Sequence, residues 1–458
     1  MRQAVAVLNM DRDTAEPSVD QMPGEKANEW VEYHQSFSAP STYVYNFVWD
    51  YTQDAEGPFV TDADGNVLMD YTSHVAAAPL GYNNPKIMDK MEEFDLPDPT
   101  KMAGQDFYFS GGGTPDDTEF PGAAHLMDKL TDLTSHYGMD TVFLSNSGAE
   151  AVENALKITY DHTNGKYGIT FDGAFHGRTL GALSINRSKE VYRRKFPEIP
   201  GIHDMPYCDN TDCDAESCDC GFFPGGEDDP SLLGRKIDPE KGHINPDEIA
   251  YIIMEPIQGE GGYRIPSDAF MQEIEDLTNE YDIPLIADEI QAGVGRTGEW
   301  WGADHFPIEP DVITGAKGLR VGATIGKSEV FPDTKSRLSS TWGAGDIVSS
   351  LTGVLTLEAI EEYDLLDNAV ERGDQMIELL EDADMPGVTD VRGRGLMLAV
   401  DFETKELRGD VVEAAMKRGL LLLGCGYNTI RLLPPLDVTE REIELSAELF
   451  ADAVEDAA

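Results

Sequence analysis

The sequence predicts an α/β fold, with a large domain built on a mostly parallel sheet and a smaller α+β domain. Two observations predict it. From about residue 141, short apolar runs ending in polar turns alternate with segments of helical spacing. That alternation is the pattern of a parallel sheet covered on both faces. From about residue 350, long amphipathic helical segments alternate with a few strand-like ones, which reads as the smaller domain. The expected division is 1–75 for an N-terminal arm and part of the small domain, 76–345 for the large domain, and 346–458 for the C-terminal small domain.

Taken in order, residues 1–40 are polar, carry prolines and lack periodicity, so they read as an irregular arm. PFVTDADGNVLMDYT (58–72) predicts a hairpin, with Asp64-Gly65 as its turn between strand-favouring flanks. Pro79-Leu80-Gly81-Tyr82 and Gly111-Gly112-Gly113 read as loops. TVFLSN (141–146) is a short strand, Ser147-Gly148-Ala149 a turn, and AEAVENALKITYDH (149–162) a helix whose Ala151, Leu156 and Tyr160 fall on nearby faces. KYGITFDGAF (166–175) is a strand and turn, and AYIIMEPIQ (250–258) a strand. DAFMQEIEDLTNEYD (268–282) is a helix, while IPLIADEIQ (283–291) and DVITGAK (311–317) are strands. The stretch 206–246, rich in Cys, Asp, Gly and Pro, reads as an insertion at a sheet edge or the surface; a disordered loop is the alternative. RGRGLMLAVDFE (392–403) and NTIRLLPPL (428–436) supply strands to the smaller domain.

Charge excludes some partners. Asp and Glu total 86 against 34 Lys and Arg, a net charge of −52 over 458 residues. Nucleic acid is a poor partner, because phosphate binding needs Lys and Arg. An anionic membrane surface is excluded on the same ground. The acids are spread along the chain among apolar periodic segments, which favours a halophile-type surface over an acidic disordered tail. The N-terminal MRQAVAVLNMDRD lacks a signal-peptide pattern. No run approaches the ~20 apolar residues of a span. A cytoplasmic protein is expected.

The chemistry-bearing residues sit where ligands bind in open α/β sheets, at the carboxyl ends of strands. Ser147, Gly148 and Ala149 follow a strand and open a helix, so their N–H groups suit a phosphate; a plain turn is the alternative. Asp288 ends an apolar strand and calls for a cationic partner, which a protonated pyridine nitrogen supplies; an Asp capping the next helix is the alternative. Lys317 ends another strand between small residues, as Schiff-base lysines do; a snorkelling surface lysine is the alternative. Together, in this order, they spell out a pyridoxal 5'-phosphate site: phosphate cup, pyridinium partner and Schiff-base lysine.

Eight ordered motifs then carry a resemblance: SNSGAEAVENALK (145–157), GAFHGRTLG (173–181), EPIQGEGG (255–262), ADEIQAGVGRTG (287–298), TGAKG (314–318), STWG (340–343), RGRGL (392–396) and IRLLPPL (430–436). The chain resembles the class III pyridoxal-phosphate aminotransferases of fold type I, the group of 4-aminobutyrate, ornithine and lysine 6-aminotransferases. The resemblance implies that Lys317 forms the Schiff base and shuttles the proton, and that Asp288 holds the pyridine nitrogen. It implies that Gln291 touches the ring hydroxyl, that Phe175 stacks on the ring with His176 beside it, and that Ser147, Gly148 and Ala149 bind the phosphate. Thr341 would reach the phosphate of a neighbouring subunit, which requires a homodimer or a dimer of dimers. Arg431 would take the α-carboxylate of glutamate or 2-oxoglutarate, Glu260 would pair with Arg431 when that carboxylate is missing, and Arg178 would take the distal carboxylate.

Val75 stands where ornithine-type members tend to place a Tyr, which turns the resemblance toward 4-aminobutyrate and lysine 6-aminotransferases. The implied reaction moves an ω-amino group, from 4-aminobutyrate or the lysine ε-amine, to 2-oxoglutarate, giving a semialdehyde and glutamate. Alternatives on the same core are an amino-acid racemase or aminomutase and an ornithine or acetylornithine aminotransferase. Cys208, Cys213, Cys218 and Cys220 have no place in the family core. Their spacing is not a standard zinc knuckle, although four thiolates can bind zinc; free thiols are the alternative, and no metal is assigned.

Overall fold

The computed structural model describes residues 10–39, 47–93, 108, 110–225, 229–339 and 346–458. The chain divides into two compact units, one of residues up to Glu92 together with Tyr363–Ala458, the other Glu93–Glu362. The larger unit carries a seven-stranded sheet in the order Thr141–Ser145, Gly322–Gly326, Val312–Gly315, Leu285–Asp288, Ile249–Met254, Tyr167–Phe171, Ile202–Met205. Only Gly322–Gly326 runs antiparallel to its neighbours, so the sheet is mostly parallel, as predicted.

Burial on both faces explains why these strands read as continuous apolar runs. All six residues of Ile249–Met254 are buried. The helix Gly148–Thr163 covers one face: its Val152, Ala155, Leu156 and Ile158 share a core with Ile253, Ile286 and Val312. Burying Val152, Leu156 or Ile158 contributes about 1.5–3 kcal/mol each. Ser147 caps this helix through its Oγ, which accepts from Glu150 N–H at 3.3 Å. Ser267 caps the helix Asp268–Tyr281 in the same way, at 3.2 Å from Phe270 N.

The smaller unit is α+β. Phe59–Thr61 and Val67–Asp70 form the predicted hairpin around Asp64-Gly65. A second, antiparallel sheet runs Val388–Arg394, Met397–Phe402, Thr429–Leu432, Leu423–Cys425. Helices Leu365–Asp382, Lys405–Lys417 and Glu440–Ala457 complete the unit.

Three expectations differ from the structure. The supposed irregular arm contains a helix, Glu25–Gln35, of which Ala27 alone is buried. Its first turn is capped by Asp64, whose carboxylate accepts from Lys26 N–H and Ala27 N–H at 2.9 and 2.8 Å. Gly322–Gly326 is a strand that small residues concealed. The unit boundaries fall after Glu92 and Glu362 rather than after 75 and 345. The helix Ile347–Glu362 goes with the larger unit because it packs on the helix Ala123–Leu133 and on the turn Lys317–Leu319. Among the described residues, no helix is long and apolar enough to cross a membrane.

Candidate active site

Strand register gathers the candidate residues of the larger unit. Asp288 is the last residue of its strand and pairs in parallel with Thr314, three positions before Lys317. Glu289 N–H donates to Thr314 O at 2.9 Å and locks the two strand ends together. Asp288 is 3% exposed. Its Oδ2 lies 2.7 Å from His176 Nδ1, and its Oδ1 accepts from Thr314 Oγ1 at 3.2 Å and Ile290 N–H at 3.1 Å. His176 is itself buried and its backbone N–H is held by Asn186 Oδ1 at 2.7 Å. Lys317 follows the next strand at φ +47°, a conformation that non-glycine residues seldom adopt.

The start of the helix Gly148–Thr163 meets both neighbouring loops. A Cβ on Gly148 would stand 2.7 Å from Ile290 Cδ1, and one on Gly177 would stand 2.8 Å from Ala149 Cβ. Glycine at both positions lets the loops after Asp288 and after His176 close on the helix start, whose first-turn N–H groups have no partner within the helix. Phe175 N–H donates to Glu255 Oε1 at 2.9 Å, and Gly259 N–H donates to Glu255 Oε2 at 2.8 Å. Burial pushes the Glu255 carboxyl up to about 7. Gln291 is oriented by Tyr263, whose hydroxyl donates to Oε1 at 2.7 Å.

Glu260, Lys189, Tyr192 and Arg178 form a second, charged group. The Glu260 carboxylate is bound by Lys189 Nζ at 2.5 Å and Tyr192 Oη at 2.8 Å. The Arg178 guanidinium lies 4.4 Å from the Tyr192 ring centre and 5.6 Å from that of Phe175. Burial, then the Glu260 charge, push the Tyr192 phenol up to about 12.

Two candidates belong to the smaller unit. Arg431 sits on the strand Thr429–Leu432 and is 5% exposed. Val75 lies in a run of four residues, Ser73–Ala76, with φ of 42°, 51°, 61° and 64°. A β-branched residue there is an outlier. The run is tied to the chain just beyond Arg431: Ser73 Oγ donates to Leu433 O at 2.6 Å, and Leu433 N–H donates to Tyr71 O at 2.7 Å. Thr341 lies outside the described residues.

Sequence reasoning missed Glu255, Asn186, Thr314, Lys189 and Tyr192. Glu255 stood inside a quoted motif, and its position after a wholly apolar strand was the available signal. Thr314 also stood inside a quoted motif, but it and the others reveal their roles only through side-chain partners elsewhere in the chain.

The donor set fits pyridoxal phosphate. A buried carboxylate already oriented by three donors suits a ring N–H. A helix start where Gly148 meets Ile290 and Ala149 meets Gly177 suits a phosphate. A lysine follows the adjacent strand end, and an aromatic ring, Phe175, adjoins His176.

The family model for class-III aminotransferases matches residues 42–454. An alanine/serine racemase of Pyrococcus horikoshii is 31% identical over 456 residues, 95% of this chain and 91% of its own. A 4-aminobutyrate aminotransferase of Mycobacterium leprae is 32% identical over 417 residues, 86% of this chain and 87% of its own. A solved lysine aminotransferase from M. tuberculosis superposes with a TM-score of 0.81 at 27% identity, covering 94% of this chain and all of that one. The chain belongs to the class-III aminotransferases and is a pyridoxal-phosphate-dependent enzyme of fold type I.

Proposed function

We propose that the enzyme transfers an ω-amino group, from 4-aminobutyrate or the ε-amine of lysine, to 2-oxoglutarate. The observation that carries this reading is Glu260, a carboxylate held by Lys189 and by Tyr192, whose ring centre lies 4.4 Å from the Arg178 guanidinium. Glu260 is read as the group that neutralises Arg431 when the substrate brings no α-carboxylate, and Arg178 as the reader of the distal carboxylate that both substrates carry. The names of the M. leprae and M. tuberculosis relatives agree with such donors.

Bound pyridoxal phosphate supplies an electron sink to the carbon bearing the amine. This chain's residues do the rest. Ser147, Gly148 and Ala149 hold the phosphate. Asp288 pairs with the ring nitrogen, Gln291 with the ring hydroxyl, and Phe175 covers a ring face beside His176. Lys317 Nζ would hold the cofactor and would move the proton at the carbon bearing the amine. Arg178 binds the distal carboxylate, Arg431 the α-carboxylate, and Val75 shapes the substrate's surroundings. The working form is a homodimer or a dimer of dimers in the cytoplasm, with Thr341 reaching the neighbouring subunit's phosphate.

A second reading is amino-acid racemisation, favoured by the P. horikoshii racemase, which matches 95% of this chain. A panel of amines with 2-oxoglutarate separates the two. Glutamate formed from 4-aminobutyrate or lysine supports ω-transamination. Inverted α-amino acid without glutamate overturns it in favour of racemisation.

A further inference from the structure

Four of the five cysteines lie in the segment that leaves the edge strand Ile202–Met205, and amino transfer uses none of them. Folding gathers all four. The Sγ atoms of Cys208, Cys213 and Cys218 lie within 4.8 Å of one another, and Cys218 Sγ is 3.2 Å from Cys220 Sγ. Cys208 and Cys213 are buried, the other two half-buried. A tetrahedral zinc–thiolate centre, with Zn–S of about 2.3 Å, places its sulfurs roughly 3.8 Å apart, which is the scale of this cluster.

The surroundings suit thiolates around a cation. Phe223 N–H donates to Cys218 Sγ at 3.3 Å, and Phe222 N–H donates to Cys220 Sγ at 3.4 Å. Ser267 Oγ donates to Cys208 Sγ at 3.6 Å. Such donors offset the excess negative charge of four thiolates on one divalent ion. Asp209, Asp212, Asp214, Glu216 and Asp219 stand in the same stretch, so the local field attracts cations. All four ligands are soft and leave no open position, which is the character of a structural rather than a catalytic zinc centre.

The cluster is linked to the neighbouring core and to the Glu255 backbone through Phe222 and Tyr207. Phe222 packs on Phe270 with ring centres 4.7 Å apart, and Tyr207, adjoining Cys208, lies 5.3 Å from Phe270. Tyr207 Oη donates to Glu255 O at 3.2 Å and Pro256 O at 3.0 Å. Glu255 is the carboxylate that fixes the Phe175 and Gly259 backbones.

We propose that Cys208, Cys213, Cys218 and Cys220 bind one zinc ion as a structural tetrathiolate site that pins the 206–246 segment to the sheet edge. Binding releases the thiol protons to solvent and changes no oxidation state. The proposal is independent of which amine the enzyme uses.

The test is elemental analysis of the full-length enzyme, purified under reducing conditions without added chelator. One zinc per chain is expected, lost in Cys218→Ser/Cys220→Ser and retained in Cys425→Ser, which lies outside the cluster. Exchange with cobalt(II) should give thiolate-to-metal charge transfer and intense tetrahedral d–d bands, and metal removal should lower the Tm by several degrees. The cobalt spectrum of the unmutated enzyme decides the matter should the double variant fail to fold. Absence of zinc with four freely titrating thiols, a disulfide among them, or iron in place of zinc would each overturn the assignment.

Discussion

Asp288 Oδ2 lies 2.7 Å from Nδ1 of His176, with both side chains buried. In the proposed reading the imidazole is a positioning group: it would hold the carboxylate proposed to meet the ring nitrogen, while Thr314 and Ile290 hold the other oxygen. Hydrogen bonds to charged groups contribute about 1.5–3 kcal/mol, so His176→Ala should lower kcat/KM by roughly 10- to 150-fold. Cofactor retention, titrated by absorbance, should weaken in parallel. His176→Asn keeps a donor near the same place and should recover part of both. Unchanged cofactor affinity and rate in the alanine variant would show that Asp288 does not depend on His176.

Lys317 lies between buried Ala316 and Gly318, after a wholly buried strand. Lys317→Ala should abolish turnover and the visible absorbance of bound cofactor, while far-UV circular dichroism stays native. Turnover with a reducible link to cofactor in that variant would place the Schiff base on another lysine.

The strand-end placement of Asp288 and Lys317 was legible because an ionisable residue at the end of an apolar strand stands out from its context. The parallel sheet was legible for a related reason, since strands buried on both faces are continuous apolar runs. Less legible were features completed by remote partners. The helix Glu25–Gln35 has a polar surface and borrows its cap from Asp64, so no local signal marks its start. The partners of Glu260 come from Lys189 and Tyr192, about seventy positions earlier. Glu255 stood in view at a strand end, but its two backbone donors come from separate loops.

Glu289 gives a pH prediction. It is fully buried, accepts from Gly302 N–H at 2.8 Å and Ala303 N–H at 2.7 Å, and burial pushes its carboxyl up to about 8. With Glu255 pushed up to about 7, the folded chain holds protons that the unfolded chain releases near pH 4.5. Folded proteins that bind more protons than their unfolded chains lose stability as pH rises. The Tm should therefore fall between about pH 5 and pH 8 at fixed salt, the window set by these two groups. Glu289→Gln should flatten that fall. Calorimetry showing the same slope in both proteins would rule Glu289 out as its source.

The acidic excess gives a salt prediction. A net charge of −52 repels itself in the compact state. Screening shortens the reach of that repulsion to ~3 Å at 1 M salt. Tm and activity should rise with KCl from low salt into the molar range. A melting temperature that is flat or falling over that range would remove the halophile-type reading of the surface.

Glu260 bears on how one site accepts two kinds of substrate. An ω-amino donor brings no α-carboxylate to the reacting carbon, whereas 2-oxoglutarate does. The arginine that reads that carboxylate, Arg431 in the proposed reading, loses the carboxylate as a partner in the donor half-reaction, and breaking a buried pair in this way costs on the order of 3–5 kcal/mol. A glutamate that leaves its resting partners, Lys189 and Tyr192, to neutralise the arginine removes the penalty. Glu260→Ala should therefore lower kcat/KM for 4-aminobutyrate or lysine by about a hundredfold or more, and leave glutamate within a few-fold of the unmutated enzyme. Glu260→Gln separates charge from packing, because it can still bond Tyr192 but carries no charge. If charge is what matters, the glutamine variant will behave like alanine toward the ω-donor. A glutamine variant that behaves like the unmutated enzyme, or an alanine variant that loses both donors equally, would make Glu260 a structural residue. The ω-transaminase reading would then lose its main support, and racemisation would become the better account of the site.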